Sequence, residues 1–197
     1  MHATREEHIM STTVAVKNGI DVSQLVETIN AIKGDPTLGS FTFRASSSWN
    51  DGTHNTGHVG GFAHAGKEDE SRSRPFVLEG DEPPVLLGSN AGPNAVELLL
   101  QALGFCYAVG YVANAAAQGI EIDSMEYEIE GDIDLRPFLG LDGPRPGFTE
   151  IRAKGRVSSP NATAEQLEAL CQYVQDTSPV RDSLAAAVPV KTTIEVL

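Results

Sequence analysis

The stretch Asn94-Ala95-Val96-Glu97-Leu98-Leu99-Leu100-Gln101-Ala102-Leu103-Gly104-Phe105-Cys106-Tyr107-Ala108-Val109-Gly110-Tyr111-Val112-Ala113-Asn114-Ala115-Ala116-Ala117-Gln118 decides the fold. Its apolar residues go nearly all round a helix, which predicts a helix buried on most sides. Asn94 is placed to cap its start and Gly119 to follow its end. Glu97, Gln101 and Asn114 interrupt the apolar surface, so a membrane span is not expected. Deep inside this helix sits Cys106, one of two cysteines in the chain. A thiol there is either inert filling or a guarded nucleophile.

Working outward, the flanking segments read as strands and shorter helices. Val22, Leu25, Val26, Ile29 and Ile32 recur at helical spacing from Asp21 to Lys33, and Gly34-Asp35-Pro36 stops that helix. Phe41, Phe43, Ala45, Ser47 and Trp49 alternate with Thr42, Arg44, Ser46 and Ser48, the pattern of a half-buried strand. A turn at Asn50-Asp51-Gly52 leads into a glycine-rich strand through Val59 to Phe62. Lys67 to Arg74 reads as a charged loop, Pro75 to Leu78 as a strand, and Glu79 to Pro93 as a long connection of the kind that often carries function. Beyond the central helix, Met125 to Asp134 carries an acidic ladder (Glu126, Glu128, Glu130, Asp132, Asp134) and Ile151 to Val157 a basic one (Arg152, Lys154, Arg156). Antiparallel pairing would set opposite charges across from each other. Thr163 and Gln166 form a capping box for a helix whose apolar face is Leu167, Leu170, Cys171 and Val174, and Pro179 breaks it. Ser183 to Ala187 reads as a further helical turn and Val188 to Val196 as a last strand. The fold class is α+β: antiparallel strands wrapped around one buried helix.

Composition narrows the function. With 27 acidic against 14 basic residues and a net charge of −13, the chain lacks the clustered cations that phosphate backbones require. Neither nucleic acid nor an anionic membrane surface is an expected partner. Two cysteines do not make a disulfide scaffold and suit a reducing compartment. The polar start, Met1 to His8, has no apolar stretch behind a basic residue, so no signal peptide is expected and the location is read as cytoplasmic. There is no Gly-x-Ser-x-Gly elbow, phosphate loop or dinucleotide fingerprint, and no cofactor is expected. His54, His58 and His64 cluster in one hairpin, but neither their spacing nor a companion carboxylate compels a metal site.

Several motifs together carry a family resemblance. Asp81-Glu82-Pro83-Pro84-Val85-Leu86-Leu87-Gly88-Ser89-Asn90, then Gly92-Pro93-Asn94, then Glu97 to Leu103 with Cys106, resemble the central segment of the OsmC/Ohr family. So do Gly131-Asp132-Ile133-Asp134, Leu139-Gly140-Leu141, Arg145-Pro146-Gly147 and Ser178-Pro179-Val180. The likeness runs from about Phe41 to the C-terminus, which divides the chain into an N-terminal extension, residues 1–39, and an OsmC-like domain, residues 40–197. The resemblance implies an intertwined homodimer with thiol sites at the subunit interface. It also implies reduction of organic hydroperoxides by a cysteine on the central helix, the place of Cys106. An arginine from the first strands, matched by Arg44, would hold the thiolate, and a glutamate early in the central helix would orient that arginine.

Three positions depart from the family pattern. Ser178 stands where the family's resolving cysteine lies. The glutamate's usual place, ten residues before the cysteine, is Val96. Glu97, nine before, falls on the opposite side of the helix and roughly 13 Å along its axis. Its other role is to complement the helix dipole in the first turn. Arg44 on a polar strand face can equally be a solvated cation, and Cys171 on its core-facing stripe reads as packing. Two readings follow. Either Cys106 reduces hydroperoxides in a one-cysteine cycle completed by an external thiol, or the fold persists as a small-molecule-binding or stress-related protein without catalysis.

Overall fold

Asn18 and Gly19 both take positive φ (51° and 77°) and turn the chain between two short strands, β1 (Val16–Lys17) and β2 (Ile20–Asp21). The computed structural model describes residues 16–196, so the polar start read for a signal peptide, Met1 to His8, lies outside the described residues. Asp21 accepts from the Gln24 N–H and caps helix α1 (Val22–Gly34), as the spacing predicts. Asn18 also ties this extension to the rest of the chain. Its amide donates to the Ile120 carbonyl and its oxygen accepts from the Ile122 N–H, each at 2.9 Å.

The strand-rich block forms one antiparallel sheet of β3 (Phe41–Asp51), β4 (His54–His64), β5 (Lys67–Asp69) and β6 (Phe76–Gly80). Strand β4 pairs with β3 along one edge and with β5 and β6 along the other. Lys67 to Asp69 is therefore strand rather than loop. Ala65 and Gly66, at φ 49° and 76°, make the tight turn that folds these residues back onto β4. The expected half-burial of β3 is not found either: the strand is exposed along its whole length. Alternation encodes a face to be covered, and no element of the described chain covers it.

The connection from Glu79 to Pro93 is held by one buried carboxylate. Asp81 accepts from the Thr53 hydroxyl (2.6 Å), the Ser89 hydroxyl (2.7 Å) and the N–H groups of Glu82, Ser89 and Ala91 (2.8, 2.9 and 3.1 Å). A Cβ on Gly88 would lie 1.8 Å from the Glu82 carbonyl oxygen, and one on Gly92 2.1 Å from that of Glu79, so only glycine fits there. These donors hold the Asp81 carboxyl far below the usual carboxylate range. A depressed folded-state value contributes stability that is fully present above about pH 4, the ordinary value, and is lost as pH falls through the folded one. Asp81→Asn should lower Tm by roughly 5 °C or more at neutral pH and flatten the fall of Tm with acid below pH 4, measured by thermal melts across pH.

That loop delivers the chain into α2 (Ala95–Ala117), where Asn94 and Glu97 form a capping box and Gly119 follows at φ 72°. Loss of such a cap costs about 1 kcal/mol. Leu103, Tyr107, Tyr111 and Ala115, spaced by four, form a buried stripe that meets Ile120, Leu170 and Val174 in the core. The opposite face is open, with Phe105 65% and Val109 70% exposed. Burial on most sides is thus realised on one face only within a single chain.

Beyond α2, β7 (Ser124–Asp132) and β8 (Glu150–Ser158) pair antiparallel, with Glu126 opposite Arg156, Glu128 opposite Lys154 and Glu130 opposite Arg152. The acidic and basic ladders meet as expected, and Met125, Tyr127, Ile129, Ile151 and Val157 pack against the core from the other face. Helix α3 (Ala164–Thr177) starts with the Thr163–Gln166 capping box, and Pro179 opens α4 (Pro179–Ala185). Both pack beside α2. The last expected strand is not formed: Val188, Val190, Ile194 and Val196 are exposed and unpaired with any sheet among the described residues. Strand character is local, but a strand exists only where an edge accepts it.

Candidate functional site

Helix α2 and the α3–α4 junction bring two side chains together across 72 residues of sequence. The Cys106 Sγ lies 3.1 Å from the Ser178 Oγ. Ser178 is 5% exposed and has two duties. As the residue between Thr177 and Pro179 it caps α4, its Oγ accepting from the Arg181 N–H at 3.1 Å. With a lone pair engaged there, the hydroxyl proton is free to be donated to sulfur. A hydroxyl aimed at a cysteine holds the sulfur in one orientation. Cys106 is a half-buried free cysteine, shielded yet not sealed.

The other expected site residues are engaged elsewhere. Arg44 makes a two-pronged ion pair with Glu68 at 2.7 and 2.8 Å on the exposed sheet, which pushes its guanidinium up and the Glu68 carboxyl down. Glu97 accepts from the Asn94 N–H at 2.8 Å, the reciprocal half of the capping box. Neither is bonded to Cys106 among the described residues. The three hairpin histidines take separate paths: His54 meets Glu79 at 2.8 Å and His64 the Leu38 carbonyl at 2.7 Å. A register shift in β4 between Val59 and Phe62 puts His58 and His64 on opposite faces. Among the described residues no group of three side chains converges as metal ligands.

Cys171 on α3 packs at the edge of the core, as its stripe predicts, with the Gln175 amide 3.5 Å from its sulfur. It also lines a cleft of about 720 Å³ between α2, the β7–β8 pair and the α3–α4 segment, a feature without a signal in the sequence. Cys106 is not among the walls of that cleft.

An α+β chain with a hydroxyl-paired cysteine on a long central helix is the class that the fold and site define. The chain belongs to the OsmC-like protein family, whose pattern matches residues 88–193, a little over half its length. Solved structures share the fold. An OsmC-like protein from Mycoplasma pneumoniae is 19% identical with a TM-score of 0.55, covering 73% of this chain and 87% of its own. An OsmC-like protein of unknown function from Vibrio cholerae is 14% identical at a TM-score of 0.55, covering 72% and 92%. An organic hydroperoxide resistance protein OsmC from Legionella pneumophila is 16% identical at 0.51, covering 73% and 88%. No curated protein matches the sequence.

Proposed function

We propose that the protein is a thiol-dependent organic hydroperoxide reductase in which Cys106 is the single reactive cysteine. The observation that carries this reading is the 3.1 Å pairing of Cys106 with the buried Ser178 hydroxyl. Membership of the OsmC-like family and the fold shared with a hydroperoxide resistance protein support it. The Cys106 thiolate attacks the outer peroxide oxygen, the O–O bond breaks, and the alkoxide leaves and takes a proton to become the alcohol. Sulfur is oxidised to sulfenic acid by two electrons. Because Ser178 cannot form a disulfide, a small external thiol condenses with the sulfenic acid and releases water. A second thiol then attacks the mixed disulfide, restores Cys106 and leaves as the external disulfide. Such thiols abound in a reducing cytoplasm, where we place the protein.

The working form is a homodimer. Strand β3, the open face of α2 around Phe105 and Val109, and the apolar tail from Val188 to Val196 are three exposed surfaces that one chain leaves uncovered. A second copy covers them, and sedimentation should give twice the 20.9 kDa chain mass. In that assembly Arg44 from the second copy's sheet holds the Cys106 thiolate, with Glu97 orienting it in place of its capping bond.

Turnover of cumene hydroperoxide with a dithiol tests the reading. Cys106→Ser should abolish consumption, Cys171→Ser should leave it, and Arg44→Ala should lower the rate by roughly ten- to a hundredfold, as loss of a charge-stabilising group does. Wild-type protein that consumes no peroxide would leave the second reading, a binding protein without catalysis.

A further inference from the structure

The cleft beside Cys171 has no part in the chemistry proposed for Cys106, yet it is built like a ligand site. Its volume of about 720 Å³ is that of a small-molecule pocket. Leu99, Leu103, Ile151, Val174 and Leu184 supply apolar walls. All of its walls come from one chain.

Three polar groups stand at this cleft with donors to spare, Arg181 spending one N–H on the Gln175 carbonyl at 3.4 Å. Tyr107 is 6% exposed, its ring packed against Tyr127 at 5.6 Å, and its hydroxyl makes no hydrogen bond among the described residues. No side-chain polar atom of the described residues that is sealed from solvent lacks a bond, so the Tyr107 hydroxyl retains access, and the cleft is the space it lines. Tyr111, one turn on, differs: its hydroxyl donates to the Leu167 carbonyl at 2.8 Å. Arg145 and Arg181 also line the cleft, and neither has a carboxylate partner among the described residues. Arg44, Arg136, Arg152 and Arg156 have one, whereas Arg72 and Arg74, outside the cleft, also lack one among the described residues, Arg72 donating to the Gly60 carbonyl instead. Burial pushes the Tyr107 hydroxyl up, and the Arg181 charge opposes that push.

We infer that this cleft binds an amphipathic carboxylate, its apolar body between α2 and β8 and its carboxylate met by Arg145, Arg181 and the Tyr107 hydroxyl. Arginine pairs with a carboxylate through two parallel N–H donors, and the tyrosine adds a third donor that a neutral ligand of the same length would leave partly unused. Cys171, in the cleft wall, reports occupancy.

The test uses the full chain carrying Cys106→Ser, so that Cys171 is the one remaining thiol and the peroxidase reading plays no part. Decanoate, held below its micelle threshold, is expected to slow alkylation of Cys171 saturably. Decanol and decyltrimethylammonium should need roughly tenfold higher concentration for the same protection. Arg145→Gln and Arg181→Gln, both at exposed positions, should each weaken decanoate by roughly three- to tenfold with unchanged Tm. Tyr107→Phe should weaken it by a smaller factor, with thermal melts confirming that the core is intact. Equal protection by decanol, full decanoate affinity in both arginine variants, or no protection at all would each overturn the proposal.

Discussion

Replacing Ser178 by cysteine is expected to turn a one-thiol site into a disulfide-forming one. The Cys106 sulfur and the Ser178 oxygen already meet at 3.1 Å, and a sulfur at that position has to close by only about 1 Å to reach bonding distance. The backbone on both sides is fixed, by α2 on one and by the α4 cap on the other. One equivalent of organic hydroperoxide should first oxidise Cys106 to sulfenic acid. The introduced thiol then condenses with it, water leaves, and both thiols vanish from alkylation together. Peptide mapping of the Ser178→Cys variant should find Cys106 linked to position 178. Turnover with a dithiol should rise relative to a monothiol, because a dithiol opens a protein disulfide through an intramolecular second step. The variant also loses the hydroxyl that caps α4, so Tm should fall by a few degrees. A variant that oxidises without forming this link would show that the two side chains do not meet in solution.

The second large effect is on stability. Tyr111 is fully buried, surrounded by the core of Leu103, Tyr107, Leu170 and Val174, with its hydroxyl bonded to Leu167. Tyr111→Ala should cost about 3–5 kcal/mol, the range for emptying an aromatic site in a packed core, measured by urea unfolding. Tyr111→Phe keeps the ring and should cost about 1 kcal/mol. Burial, aided by Cys171, pushes the hydroxyls of Tyr111 and Tyr127 up to about 12. The sign is opposite to that of Asp81. A raised folded-state value means the unfolded chain loses its proton first, so stability is full below about pH 10 and declines as pH rises toward 12. The tyrosinate absorbance of Tyr111 and Tyr127 should appear together with unfolding rather than ahead of it.

Local chemistry made much of this fold legible. Asp21, Asn94 and Thr163 announce their helices by residue type, and Glu97 and Gln166 complete two capping boxes at a spacing of three. The acidic and basic ladders of β7 and β8 reveal both strands and their pairing, since only antiparallel register sets Glu126, Glu128 and Glu130 against Arg156, Lys154 and Arg152. The dipeptide Asn18-Gly19 is a turn signal of the same kind, though the hairpin it closes is not among the expected elements. What local pattern cannot supply is the partner. The alternation in β3 and the all-round apolarity of α2 state that surfaces want cover, and a single chain covers one face of α2 and none of β3. The tail from Val188 to Val196 has strand composition and no edge to join.

At the site the same division holds. No periodicity relates Cys106 to Ser178, 72 residues away, and the family resemblance alone made that pair foreseeable. Cys171 read correctly as a residue of the core-facing stripe. That stripe ends at a cleft, which depends on how far β8 stands from α2 and has no signature in sequence. Arg44 and Glu97 hold partners of their own within the chain, Glu68 and Asn94, which is why their proposed role rests on a second copy.

If Cys106 is the reactive thiol, its sulfenic acid can be trapped, and no other measurement tests the proposed chemistry more directly. Wild-type protein is treated with one equivalent of cumene hydroperoxide in the presence of dimedone, and the peptides are mapped. A dimedone adduct is expected on Cys106, formed in step with release of cumyl alcohol, and none on Cys171. Peroxide left unconsumed with Cys106 unmodified, or an adduct confined to Cys171, would contradict the assignment.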